Sequence, residues 1–149
     1  MVIKPHHFMD IIKLYGAGIE VFVPDPGHGH NFYMAANEIV SNHNAYITLT
    51  DGADDICGPC RFLGEDGICQ DSISHIEGMT SKDQYNKMLD RRIMTELGVC
   101  HDGLYTAEEL CRIMGERNGL VEAVWKEEDE EKMLARKRLF AAGVRKYLA

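Results

Sequence analysis

Apolar residues at Phe8, Ile11, Ile12 and Tyr15 recur at i, i+3, i+4 and i+7, and this spacing predicts a helix over Pro5–Tyr15. Pro5 suits the first helical position, and Gly16 and Gly18 read as its end. The alternation in Ile19-Glu20-Val21-Phe22-Val23 predicts a short strand, followed by a loop through Pro24-Asp25-Pro26-Gly27-His28-Gly29-His30. A second helix is expected from Asn31 to Asn42, with Phe32, Ala36, Ile39, Val40 and His43 on one face. Ala45, Ile47 and Leu49 alternate with Tyr46, Thr48 and Thr50, as in a half-buried strand.

Residues 51–71 carry no period, four glycines and three of the cysteines. A loop of that length in a small domain is functional or held by something other than packing. The C-terminal half is better signposted. Ser81 with Gln84 reads as a capping box ahead of Tyr85, Leu89, Ile93 and Leu97, with a stop at Gly98. Thr106 with Glu109 repeats the pattern before Ala107, Leu110, Cys111 and Met114. A last helical region covers 120–148, broken near Lys126, with Glu127–Glu131 at its start and Arg136–Arg138, Arg145 and Lys146 towards its end. Acid first and base last complements the helix macrodipole, so that charge run reads as a solvated face. Its apolar residues Val121, Val124, Trp125, Leu134, Leu139, Phe140 and Val144 cover the domain itself or a second copy, and core packing is the preferred reading. A homo-oligomer therefore stays open. The expected fold class is α+β, mainly α: a single compact domain over 1–149 with a small β element and a cysteine-rich metal or cluster loop at 51–71.

Composition narrows the function. At 149 residues the chain has room for one domain, and its core needs no covalent staples. A net charge of −8 argues against a nucleic-acid partner, which demands clustered Lys and Arg. No apolar run approaches the ~20 residues of a membrane span, and no signal peptide is read at the start, so a cytoplasmic protein without a membrane partner is expected. Five cysteines and seven histidines are the unusual features.

Cys57, Cys60 and Cys69 form the spacing C-x2-C-x8-C. The tetrapeptide Cys57-Gly58-Pro59-Cys60 also occurs in thioredoxin-type dithiols. Such a dithiol needs its first thiol at the start of a long helix. Here Asp54 and Asp55 precede the thiol and would raise its pKa, and Gly64 and Gly67 follow too soon. Three thiolates closing on one point suit an iron–sulfur cluster or zinc, with one ligand still to be supplied. The candidates for it are His6, His7 and Asp10 on one sector of the first helix, His75 shortly after Cys69, and Cys100 in the Gly98–Gly103 turn. His28 and His30 could clip a metal, although surface histidines without one are the commoner case. Cys111 sits on an apolar face and reads as core.

Pro5-His6-His7, then Gly16-Ala17-Gly18, then Asp54-Asp55-Ile56-Cys57-Gly58-Pro59-Cys60 and Cys69 resemble the bacterial family of domain of unknown function 1284. The matching frame covers roughly residues 5–110. The resemblance implies iron–sulfur binding without a defined reaction. Family members often carry a cysteine three residues after the second histidine, where this chain has Asp10. The resemblance thus implies a set of three thiolates and one carboxylate, with a more exchangeable or open iron. An insertion around Val21–His30 would add His28 or His30 to the rim.

The leading expectation is a 4Fe–4S protein held by Cys57, Cys60, Cys69 and Asp10 or His7. A small-molecule substrate would then meet an open iron, with His6, His7, Asp54 and Asp55 as acid–base groups. Whether the chain is an enzyme stays open. The alternatives are a structural zinc site in a regulatory or interaction module, and a Cys57/Cys60 dithiol redox protein.

Overall fold

The structure is a computed structural model describing residues 1–149. Six helices surround a three-stranded sheet, an α+β fold that is mainly α. In chain order the elements are β1 (Val2–Ile3), α1 (Pro5–Gly16), α2 (Phe32–Ser41), β2 (Tyr46–Leu49) and α3 (Lys82–Leu97). They are followed by β3 (Leu104–Thr106), α4 (Ala107–Glu116), α5 (Leu120–Val124) and α6 (Glu130–Leu148). The sheet order is β1-β2-β3, with β1 parallel and β3 antiparallel to β2. One continuous core of 25 buried residues joins all of these layers. No helix is long and apolar enough to cross a membrane.

The helices follow their sequence signals closely. Ser81 accepts from the Gln84 N–H and Gly98 closes α3 in the left-handed conformation at φ 65°. The full capping box forms only at Thr106 and Glu109, where each side chain receives the other's backbone N–H. The final helical region is interrupted between Val124 and Glu130, around Lys126.

The expected strand at Ile19–Val23 does not form. Ile19, Val21 and Val23 are exposed and only Phe22 enters the core. The Asn37 amide takes the place of a partner strand: its Oδ1 accepts from the Phe22 N–H at 2.8 Å and its Nδ2 donates to the Phe22 carbonyl at 2.9 Å. Gly16 ends the first helix as expected and has a second role. It is the last residue of α1, and a Cβ there would strike the Leu139 carbonyl and the Gly143 backbone of α6. Its role is close approach between helices.

Candidate metal centre

The start of α1 faces the cysteine loop because two buried carboxylates satisfy it. Pro5 at N1 has no N–H, and Lys4, the N-cap, offers no side-chain cap. Asp54 Oδ2 accepts from the Lys4 N–H at 2.7 Å, and Asp90 Oδ1, from α3, accepts from the His6 N–H at 2.8 Å. Negative charge at a helix N-terminus also complements the macrodipole.

Asp54 reaches in both directions. Its Oδ1 accepts from the Ile56 and Cys57 N–H groups at 3.0 and 3.1 Å, while Oδ2 lies 2.8 Å from His7 Nδ1. One carboxylate therefore ties the first turn of α1 to the turn that carries Cys57. A carboxylate only accepts, so the His7 proton sits on Nδ1 and its Nε2 keeps a lone pair. Burial and the neighbouring His6 ring lower the His7 pKa below its ordinary value, which leaves the ring neutral at pH 7. Burial works against an ionised Asp54, but the hydrogen bond and charge of His7 and the backbone donors outweigh it and hold its pKa well below the carboxylate range.

The thiols are brought round by tight turns. Cys60 N–H donates to the Cys57 carbonyl at 2.9 Å and Leu63 N–H to the Cys60 carbonyl at 3.1 Å. The chain then doubles back through the Leu63–Cys69 bridge, and Gln70 N–H donates to the Phe62 carbonyl at 2.7 Å. Cys57, Cys60 and Cys69 are all free and half-buried. They line one cavity of about 50 Å³ together with His7, His28 and His30. Burial, reinforced by the Asp54 carboxylate, pushes the Cys57 thiol up to about 11. No helix follows Cys57, which sits in consecutive turns. Both features run against a thioredoxin-type nucleophile.

His6 and His7 stand side by side with ring centroids 4.3 Å apart. His6 Nδ1 lies 2.8 Å from Asp90 Oδ1. Burial would lower the His6 pKa, but the Asp90 charge and hydrogen bond outweigh it and raise it. His6 does not line the cysteine cavity. It faces an adjoining space of about 330 Å³, shared with His75, Asp10 and Arg136. His7, His30, Lys82 and Asn86 border both spaces, which therefore adjoin as two parts of one cleft region.

Other expected residues lie elsewhere. Asp10 is turned to α6: Arg136 Nη1 donates to its Oδ1 at 2.6 Å and Lys13 Nζ approaches at 3.5 Å. Its carboxylate is occupied by cations and does not border the thiols, which corrects its expected place in the ligand set. Asp55 is turned away as well, its Oδ2 accepting the Val2 N–H at 2.8 Å. It holds β1 and borders an outer depression with Met1, Asn31 and Met34. Cys100 is exposed beyond α3 and lines no part of the cleft. His75 packs its edge on Tyr85 at 5.2 Å in the adjoining space. Cys111 is fully buried core, as its apolar face predicts.

Two groups of consequence escaped the sequence reading. Asp90 looks like any acid on an amphipathic helix, and only the tertiary fold aims it at α1. Asp25 carried a readable signal, the D-x2-H-x-H spacing with His28 and His30. Those three are the only set of three metal-binding side chains whose donor atoms all lie within 4.8 Å of one another. The three thiols do not converge that closely. Compared with family models, curated proteins and solved structures, the chain matches none.

Proposed function

We propose that this protein binds an iron–sulfur cluster, of the 4Fe–4S type, through Cys57, Cys60 and Cys69, with His7 Nε2 as the fourth ligand. The observation that carries the reading is the shared cavity: three thiols and one imidazole with a free nitrogen border the same space. The donor types fit, since thiolates hold such clusters and imidazole replaces thiolate in some. Ligating histidines usually donate their other nitrogen to a carboxylate, and Asp54 receives the His7 proton in that way.

A bound cluster of this kind supplies electron transfer, or a Lewis-acidic iron where one ligand is labile. The chain's own residues furnish the surroundings. Asp54 orients His7, Lys82 brings positive charge beside the thiols, and the adjoining space gives a small-molecule substrate a place near His6 and His75. His6, whose pKa the Asp90 charge and hydrogen bond raise, is an acid–base group bordering that space. Asp54 in this reading positions His7 and has no separate acid–base role.

Protein prepared anaerobically is the test. Brown colour with broad absorption near ~400 nm and matching iron and acid-labile sulfide are expected, lost in Cys57→Ser, Cys60→Ser and Cys69→Ser and kept in Cys100→Ser. Colourless protein without iron would overturn the reading. One zinc per chain without labile sulfide, with unfolding on chelation, would replace it by the structural zinc module.

A further inference from the structure

The geometry points to a second, separate metal site in this protein: Asp25, His28 and His30 hold one divalent transition-metal ion at the rim of the cysteine cavity. His28 Nδ1 lies 2.9 Å and His30 Nε2 3.7 Å from the same oxygen, Asp25 Oδ2. Donors bound at about 2.0–2.2 Å to one ion stand about 2.9 Å apart at an octahedral angle and about 3.4 Å apart at a tetrahedral one. The two separations to Asp25 bracket those values, and one donor atom from each of the three residues lies within 4.8 Å of the others.

The loop is prepared for this. Asp25 lies between Pro24 and Pro26, which restrict the backbone. Its Oδ1 accepts the Gly27 N–H at 2.8 Å, leaving Oδ2 to the histidines. Gly29, at φ 69°, sets the bend that stacks the two imidazoles with centroids 5.1 Å apart. Arg61 N–H donates to the His28 carbonyl at 2.8 Å, and Arg61 Nη2 to the Pro26 carbonyl at 3.0 Å. The histidine loop is thereby fastened to the cysteine loop, and both imidazoles border the thiol cavity.

A tautomer change at each histidine completes the set; at His30 it frees Nε2 and gives up the 3.4 Å hydrogen bond that Nδ1 accepts from the Phe32 N–H. When His28 gives its Nδ1 lone pair to the ion, its proton moves to Nε2, which lies 3.7 Å from Asp71 Oδ2. Asp71 is held by the Ser72 N–H at 2.8 Å and Lys82 Nζ at 3.2 Å, and its carboxylate needs a shift of a few tenths of an ångström to accept that proton. This carboxylate–histidine–ion order repeats the Asp54–His7 arrangement. Two imidazoles and one carboxylate select zinc, iron(II), cobalt or nickel over calcium or magnesium. Three protein donors also leave a position for water or an oxygen ligand from the cavity.

The test is a cobalt(II) titration of the full chain carrying C57S, C60S and C69S, with folding checked by circular dichroism. One equivalent is expected to bind, with visible bands of nitrogen/oxygen ligation and no thiolate charge-transfer band. Asp25→Asn, His28→Ala and His30→Ala, each added singly, should weaken binding by at least about tenfold. If the serine background does not fold, zinc is added to the native chain and followed by NMR. The His28 and His30 ring signals should then shift while those of His43 and His101 stay. No binding up to millimolar metal would overturn the proposal, as would equal affinity and stoichiometry in the D25N/H28A/H30A chain or unmoved His28 and His30 signals. The cobalt arm lacks the three thiols of the proposed cluster, so its outcome is independent of whether a cluster binds.

Discussion

Asp10 and His7 sit one helical turn apart on α1 and meet opposite fates, because each answers to the charge that faces it. The Arg136 guanidinium and Lys13 ammonium surround the Asp10 carboxylate. Burial would raise its pKa, but those two cations more than offset that and hold it below the ordinary value. A carboxylate depressed in the folded state adds stability above its unfolded pKa of about 3.9, lost as pH falls through the folded value. Asp10→Asn should therefore lower stability by about 1–3 kcal/mol at pH 7, between the figures for exposed and for buried pairs. The gap to the parent protein should close below about pH 4, read as urea midpoints at several pH values. Under the proposed cluster reading, the same variant should load iron and sulfide as the parent does, whereas His7→Ala should not. An Asp10→Asn protein that folds but cannot hold the cluster would return the fourth-ligand role to Asp10.

Elements announced by their own ends were legible in the sequence, and elements defined by distant partners were not. Thr106 and Glu109 cap α4 with groups three residues apart, a relation any reader of the chain can see. The N-terminus of α1 depends instead on Asp54 and Asp90, about 50 and 84 residues away. β1 and β3 span two and three residues and exist only through β2, so no periodicity could mark them. The Ile19–Val23 alternation misled for the converse reason: its pattern is a strand's, but one amide side chain satisfies the only residue that is buried. Cysteine spacing likewise revealed the thiol loop, while the pairing of Asp10 with Arg136 needed the facing helix. The Asn37 substitution tests this at the scale of the element. Asn37→Ala leaves the Phe22 N–H and carbonyl without partners and should cost about 1–3 kcal/mol. Asn37→Asp keeps an acceptor and loses the donor, so it should fall between Ala and the parent protein in urea unfolding.

Across the whole molecule, the C-terminal helix decides where the first helix, and with it the candidate site, can lie. α6 grips α1 along its length, through Arg136 on Asp10 and through Lys146, which pairs with Glu20 and lies 4.0 Å over the Tyr15 ring. Tyr147 extends the hold to α2, its hydroxyl donating to the Ile39 carbonyl at 2.6 Å and its ring stacked on His43 at 3.9 Å. The two helices come closest at Gly16 and Gly143, where backbone meets backbone. A Cβ at Gly143 would overlap the Ile12 carbonyl, which belongs to the helix and cannot swing aside as a side chain would. Gly143→Ala must push α1 off α6. The expected loss is about 1–3 kcal/mol or more, the range for overpacked interiors. Because α1 also carries His7, the displacement should reduce iron–sulfide loading in protein that remains folded. Gly52→Ala is the contrast: its Cβ would meet only the Thr50 hydroxyl at 3.6 Å, an ordinary contact, and should change stability by no more than about 0.5 kcal/mol. Equal urea midpoints for the two variants would show that the crossing does not hold α1, and that the carboxylates alone position the first helix over the cysteine loop.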